Sequence, residues 1–242
     1  MVFLENSRLP RRPIDHQALG RMRYADALDL QRRLWRLRAE GRIADRLLTV
    51  EHDPVFTIGR RGSLDNLLVS EEALRAEGIE LFEIERGGDI TYHGPGQLVA
   101  YPILDLREYD RDVRKYVGGL EEAILRTLDA FGIVAGREAG RPGVWVEGRK
   151  IASIGVHVRR WVTMHGLALN VEIAASHFAM IRPCGLDVRT VSMADLLGDV
   201  PSLGAVCEVL VDRTSEVFGW RVRSIDRIEQ EERGVVGSTA VG

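Results

Sequence analysis

Residues 143–173 read GVWVEGRKIASIGVHVRRWVTMHGLALNVEI, and this stretch decides the fold class. Its apolar and β-branched residues fall into three runs, 143–148, 150–158 and 165–173, separated by short breaks. A parallel crossover needs a dozen or more residues between strands, and these breaks leave no room for one. Glu147, Gly148 and Arg149 form a tight turn. Adjacent strands joined by short turns indicate an α+β chain, with a mixed, largely antiparallel central sheet flanked by helices, and not a doubly wound parallel sheet.

Working outward, Val113, Val117, Leu120, Ile124, Leu128 and Phe131 form a helical stripe that Gly132 ends. Tyr24, Leu28 and Trp35 with Leu30, Leu34 and Leu37 predict another helix over 22–40, ended by Gly41. Strands are expected at 47–51 and 55–59 around a turn at His52, Asp53 and Pro54, and at 79–85 and 97–106 around a glycine-rich loop. A short helix starts at Ser70, and Pro102 marks an edge or a bulge. A helix over 203–218 and a strand over 220–225 follow, before a polar tail expected to be disordered. No repeat or linker divides the chain, so one catalytic domain over 1–228 and a tail over 229–242 are expected.

A chain of 242 residues, 45% apolar, carries a sizeable core. With a net charge of −3 and interspersed signs, it has no global field for nucleic acid or an anionic membrane. The first residues lack a signal-peptide core and no window approaches a membrane span, so a cytoplasmic protein is expected. Cys184 and Cys207 form no CxxC pair and no zinc spacing, so neither a disulfide framework nor a metal site is implied. P-loop, HExxH, GxSxG and GxGxxG–helix patterns are missing, which leaves nucleotide hydrolysis, zinc proteolysis, serine hydrolysis and Rossmann redox chemistry without support.

Of 33 basic residues only Lys115 and Lys150 are lysine. Arginine stays protonated, whereas a lysine gives up its proton once its pKa falls, so each lysine invites a chemical role. Lys115 sits among Arg111, Asp112 and Arg114 on a helix surface, where solvation explains it. Lys150 opens a strand of small and apolar residues after a tight turn, partly desolvated, where a nearby thiolate would share its proton. Cys184 lies in RPCGL between Pro183 and Gly185, where local sequence allows either inert packing or a nucleophile with Arg182 raising its thiolate fraction. Cys207, spaced from Leu203 and Leu210 on one helix face, is core.

The densest feature is RGGDITYHGPGQ, residues 86–97. Its glycines permit close backbone approach and offer amide N–H groups to a carbonyl or phosphate oxygen, with Tyr92 and His93 beside them. His165 orients a carbonyl or bonds backbone; His16, His52, His157 and His177 have no partner at metal-ligand spacing and receive no role.

RGGDITYHGPGQ, GRKIASIG, HGLALN and RPCGL, in that order, resemble the lipoyl(octanoyl) transferases, from about Leu28 to near Trp220. The resemblance implies the biotin and lipoate ligase type of fold. It implies a substrate site at Arg86, Gly87, Gly88, Asp89, Ile90, Thr91, Tyr92 and His93, at Ser153, Ile154 and Gly155, and at Gly166, Leu167 and Ala168. Cys184 would be the acyl-thioester nucleophile and Lys150 would lower its pKa. Octanoyl groups would pass from octanoyl-acyl carrier protein through Cys184 to a lysine of lipoyl domains, those of 2-oxoacid dehydrogenase complexes and the glycine cleavage H protein. No cofactor is implied, because thioester exchange is nearly balanced and amide formation is downhill. Amides near Gly155 or Gly185 would hold the oxyanion, Val144, Ile154 and Leu167 would line an acyl tunnel, and Arg60, Arg61 and Arg149 would steer the acidic carrier. Two rivals stand beside this: an ATP-dependent lipoate or biotin ligase of the same fold, and a non-catalytic module that holds lipoyl domains.

Overall fold

The computed structural model describes residues 11–182 and 189–225. The described residues form eleven strands and five helices: β1 Arg12–Met22, α1 Tyr24–Ala39, β2 Arg46–His52, β3 Val55–Ile58, α2 Glu71–Ala76, β4 Glu80–Glu83, β5 Ile90–His93, β6 Gln97–Ile103, α3 Val113–Ala130, β7 Gly136–Glu138, β8 Arg141–Val146, β9 Arg149–Arg159, β10 Val162–Asn170, α4 Ala175–Phe178, α5 Leu203–Phe218 and β11 Trp220–Ser224. Eight strands order as β11-β1-β2-β6-β10-β9-β8-β7, and β4-β3-β5 make a smaller sheet. The run 143–173 is β8, β9 and β10, paired antiparallel in sequence order as expected. The expected tail lies outside the described residues.

Alternation explains why the large sheet is covered on both faces. Leu47, Leu98, Ala100, Leu167 and Leu169 point to one side, into a core shared with Leu120, Ile124 and Leu128 of α3 and Val206 and Leu210 of α5. Their neighbours Leu48, Val99, Tyr101 and Ala168 point to the other, against Ala27, Leu30 and Leu34 of α1. Each fully buried aliphatic side chain contributes about 1.5–3 kcal/mol. Val144 is sealed in the first of these cores, not along a tunnel.

Several expectations change. Pro102 lies on β6, a central strand between β2 and β10, not on an edge. The β6–β10 ladder stops at Ala100, and the Thr163 hydroxyl fills the gap, donating to Pro102 O (2.7 Å) and accepting from Leu104 N–H (2.9 Å). A borrowed hydroxyl therefore satisfies the carbonyl and the amide left over where proline interrupts the ladder. Strands 47–51 and 55–59 part company at their turn: β2 joins the large sheet and β3 the small one. β1, parallel to both β2 and β11, and β5, inside the glycine-rich loop, were not anticipated.

Candidate active site

A cleft of about 580 Å³ opens where the 86–93 limb of the small sheet lies over β9 and β10. This is within the range of small-molecule sites, about 300–1,000 Å³. Gly87 N–H donates to Val156 O (2.9 Å), which fastens the limb to β9. Gly155 makes this approach possible, since a Cβ there would meet Arg86 Cδ and Gly87 O at 3.0 Å.

The cleft brings together Lys150, Arg86, Gly87, Gly88, Asp89, Ile90, Thr91, His93, Ser153, Ile154, Gly155, Gly166, Leu167 and Ala168. Tyr92 is turned the other way on β5, packed against Phe56, His177 and Phe178. Two of the limb's charged residues are struts. Arg86 is buried and donates to Thr57 O (2.6 Å), Thr57 Oγ1 (2.8 Å) and Gly87 O (3.0 Å), tying the limb to β3. Asp89 accepts from Ile90 N–H (2.6 Å) and from Asn66 Nδ2 (2.7 Å).

One end of the cleft is a cluster of neutral rings. Gln97 Nε2 donates to Asn170 Oδ1 (2.9 Å), so Gln97 Oε1 is the acceptor and His93 Nδ1 the donor across their 2.7 Å contact. By the same logic His52 Nδ1 donates to Met22 O (3.0 Å), and His52 Nε2 accepts from Tyr101 OH (2.8 Å). Burial, reinforced by His52, pulls His93 down to about 3; burial alone draws His52 to about 4. His165, at φ 57°, gives its N–H to Gln31 Oε1 (2.9 Å), and burial takes its ring to about 3. Glu85, 4.0 Å away, opposes that shift without overcoming it, so the two form no ion pair at neutral pH. Burial also keeps Tyr24 and Tyr101 protonated.

The other end carries charge. The two-residue turn at Glu147 and Gly148 sets Trp145 opposite Lys150. Lys150 Nζ lies 5.1 Å from the centre of the Trp145 ring, and Arg141, paired with Glu138 at 2.6 Å, lies 4.2 Å from the same ring. Gly143 clears space for Lys150, since a Cβ there would sit 2.7 Å from its Cε. Lys150 N–H donates to Arg189 O (2.8 Å) and its carbonyl accepts from Val191 N–H (3.0 Å). On the near side, Arg182 N–H donates to Asn66 O (2.8 Å). Cys184 and Gly185 lie outside the described residues, as does any geometry between Cys184 and Lys150.

Of the other expectations, Ile154 and Leu167 line the cleft, Arg61 lines it too, Arg60 is exposed, and Arg149 pairs with Glu147 at 3.1 Å. Gly155 faces Gly166 within the β9–β10 ladder. Cys207 is half-buried against the larger core, its thiol pushed up by burial. Tyr24, Tyr101, Trp145, Val117, Phe178 and Thr190 line the cleft without having been singled out. The Trp145 neighbour was readable from the Glu147–Gly148 turn; a buried tyrosine's need for a hydrogen-bond partner was the signal for Tyr101. Among the described residues no group of three or more His, Cys, Asp or Glu is placed to hold a metal ion, and no helix is long and apolar enough to cross a membrane.

The model of the lipoyl protein ligase A/B catalytic domain matches residues 23–215. The chain is 52% identical to an octanoyltransferase of Solibacter usitatus over 204 residues, 84% of this chain and 92% of that one. It is 50% identical to an octanoyltransferase of Caldicellulosiruptor bescii over 83% of this chain and 88% of the other. Among solved structures, a lipoate-protein ligase A bound with ATP superposes with a TM-score of 0.77 at 19% identity, covering 93% of this chain and 92% of that one. The bipartite lipoate protein ligase of Thermoplasma acidophilum gives 0.73 at 18% identity, covering 93% and 90%. At such identities these two show the shared ligase fold alone. The similarity to the octanoyltransferases runs over most of both chains, and this chain belongs to the octanoyltransferase family, within the lipoyl protein ligase A/B catalytic domain.

Proposed function

We propose that the chain takes octanoyl groups from octanoyl-acyl carrier protein and gives them to a lysine of lipoyl domains, in 2-oxoacid dehydrogenase complexes and the glycine cleavage H protein, through a thioester on Cys184. The supporting observation is the cleft itself, an apolar slot that leads to Lys150, whose backbone is bonded to residues 189 and 191 just beyond the Cys184 segment. Lys150 accepts the thiol proton, and the thiolate attacks the donor carbonyl. The donor C–S bond breaks, and the carrier's sulfur leaves with the proton from Lys150. The acceptor amine then attacks the acyl-enzyme, Lys150 takes up its proton, and the Cys184 sulfur departs. The substrate-contacting residues are those of the cleft walls at 86–91, 93, 153–155 and 166–168, and the reaction takes place in the cytoplasm, where both carriers are met.

Intact-mass measurement after incubation with octanoyl-acyl carrier protein tests this. One octanoyl adduct is expected on the wild-type chain and none on Cys184→Ser. A wild-type chain that stays unmodified overturns the covalent route. Loading that requires free octanoate and ATP points instead to the ligase chemistry of the shared fold.

A further inference from the structure

Surface arginines in this protein are mostly matched: Arg21 with Asp53, Arg23 with Glu80, Arg75 with Glu71, Arg137 with Glu121 and Glu122. Arg60 and Arg61 are exposed and, among the described residues, have no carboxylate within ion-pair distance. Their backbone is held rigid, Arg60 N–H donating to Arg86 O (3.0 Å) and Arg61 N–H to Gly88 O (3.1 Å). The same rib continues into Leu64 and Leu68, 46% and 50% exposed, two of the few large apolar side chains left in water. Their exposure is not slackness. Asn66 Nδ2 bonds Asp89 (2.7 Å), Leu67 bridges to Ile181, and Leu68 N–H donates to Met180 O (2.8 Å). A rib anchored on its inner side therefore presents two uncompensated cations and two leucines to solvent.

The rib also adjoins the chemistry. Arg61 lines the cleft, and Asn66 O holds Arg182, two positions before Cys184 in sequence. We propose that residues 60–68 are the docking ledge for the protein body of the acyl donor, an acidic carrier surface with an apolar spot; this rests on the donor assigned above. The donor, and not the acceptor, fits because it must deliver an eight-carbon chain beneath the 86–88 limb, and the ledge is bonded along that limb. The acceptor brings only an amine to the thioester carbonyl. Carboxylates on the carrier meet Arg60 and Arg61, while Leu64 and Leu68 are covered on docking.

The test compares octanoyl-acyl carrier protein with octanoyl-N-acetylcysteamine, a thioester that has no protein body. In Arg60→Glu/Leu68→Ser the KM for the carrier substrate should rise about tenfold with kcat kept, and the salt dependence of kcat/KM should flatten. Turnover of the small thioester and KM for the lipoyl domain should stay at wild-type values. Arg60→Gln alone, a milder change, should give a smaller rise of the same kind. Equal losses on both thioesters would make the rib a prop for the cleft and overturn the proposal. So would an effect confined to the lipoyl domain, or none at all. A wild-type chain that turns over the small thioester but ignores the carrier overturns the donor assignment itself, and the ledge with it.

Discussion

The two ends of the cleft are unlike. His165 sits beside Val156 in the β9–β10 ladder, its ring meets Tyr101, and Tyr24 stacks on His93, all held neutral by burial and with the protons of His93, His52 and Tyr101 directed by fixed partners. Six residues back along β9, about 20 Å at the rise of a strand, the Lys150 amine lies against a tryptophan face with Arg141 on the same ring. One end excludes charge, and the other sets two basic side chains against one aromatic face. On the proposed mechanism this orders the substrate: the reacting carbonyl belongs near Lys150, and the apolar tail extends through the cleft toward the neutral rings.

The charged end breaks most easily. Lys150→Arg keeps a cation over Trp145 but cannot take up a proton, so turnover with octanoyl-acyl carrier protein should fall at least about a hundredfold, the scale of general acid–base catalysis. Turnover near wild type would mean that charge alone suffices and would remove proton transfer from Lys150's role. Gly143→Ala is the next largest. Its Cβ would come 2.5 Å from Ala152 O and 2.7 Å from Lys150 Cε, at φ 120°. Stability should drop by about 1–3 kcal/mol and turnover by about tenfold, as the ammonium is pushed aside. Full activity in a stable variant would show that this wall yields and does not set the lysine's position.

The neutral end answers to pH. The folded pKa of a buried histidine is lowered, so between about 3 or 4 and the ordinary value of 6.5 the unfolded chain binds more protons than the folded one. Stability is therefore complete above about pH 6.5 and is lost as pH falls toward 4. Near pH 5, unfolding should take up about three protons from His52, His93 and His165, each worth about 1.4 kcal/mol per pH unit. Burial lowers His16 and His157 too, which adds to the slope. Calorimetric unfolding at pH 5 and pH 7 measures this, and His93→Gln should remove about one proton from the uptake. A flat profile between these pH values would show that the rings are wet and charged, and the contrast between the two ends would disappear.

How much of this was legible follows from how local each determinant is. β8, β9 and β10 could be read because strand period and tight turns sit within a few residues of one another, and the same turn places Trp145 beside Lys150. β1 could not: its burial does not alternate cleanly, and its partners are parallel strands from distant sequence, Arg12 beside Trp220 and Asp15 beside Arg46. The rule for proline failed at Pro102 because its relief comes from Thr163, on another strand. In the glycine-rich loop, residue types announced a site, but only strand alternation shows that His93 faces the cleft while Tyr92 backs into aromatic packing. Tyr24 looked like any apolar helix residue, since its position against His93 depends on where α1 meets the sheet. Lys150 stood out through scarcity, a signal that needs no structure.

The smallest expected effect probes a single proton at the neutral end. Tyr101→Phe deletes the hydroxyl that donates to His52 Nε2 and leaves a buried acceptor without its donor. The expected loss is about 1–3 kcal/mol, a fall in Tm of about 2–4 °C for each kcal/mol in a chain of this size. Adding His52→Leu removes the stranded acceptor as well, and replacing both partners by apolar groups should return part of the loss. That recovery measures the coupling between the two side chains. If the double variant loses as much as the two single changes added together, Tyr101 and His52 do not act as a pair. If stability comes back, the cost of Tyr101→Phe lies in the buried acceptor left without its donor.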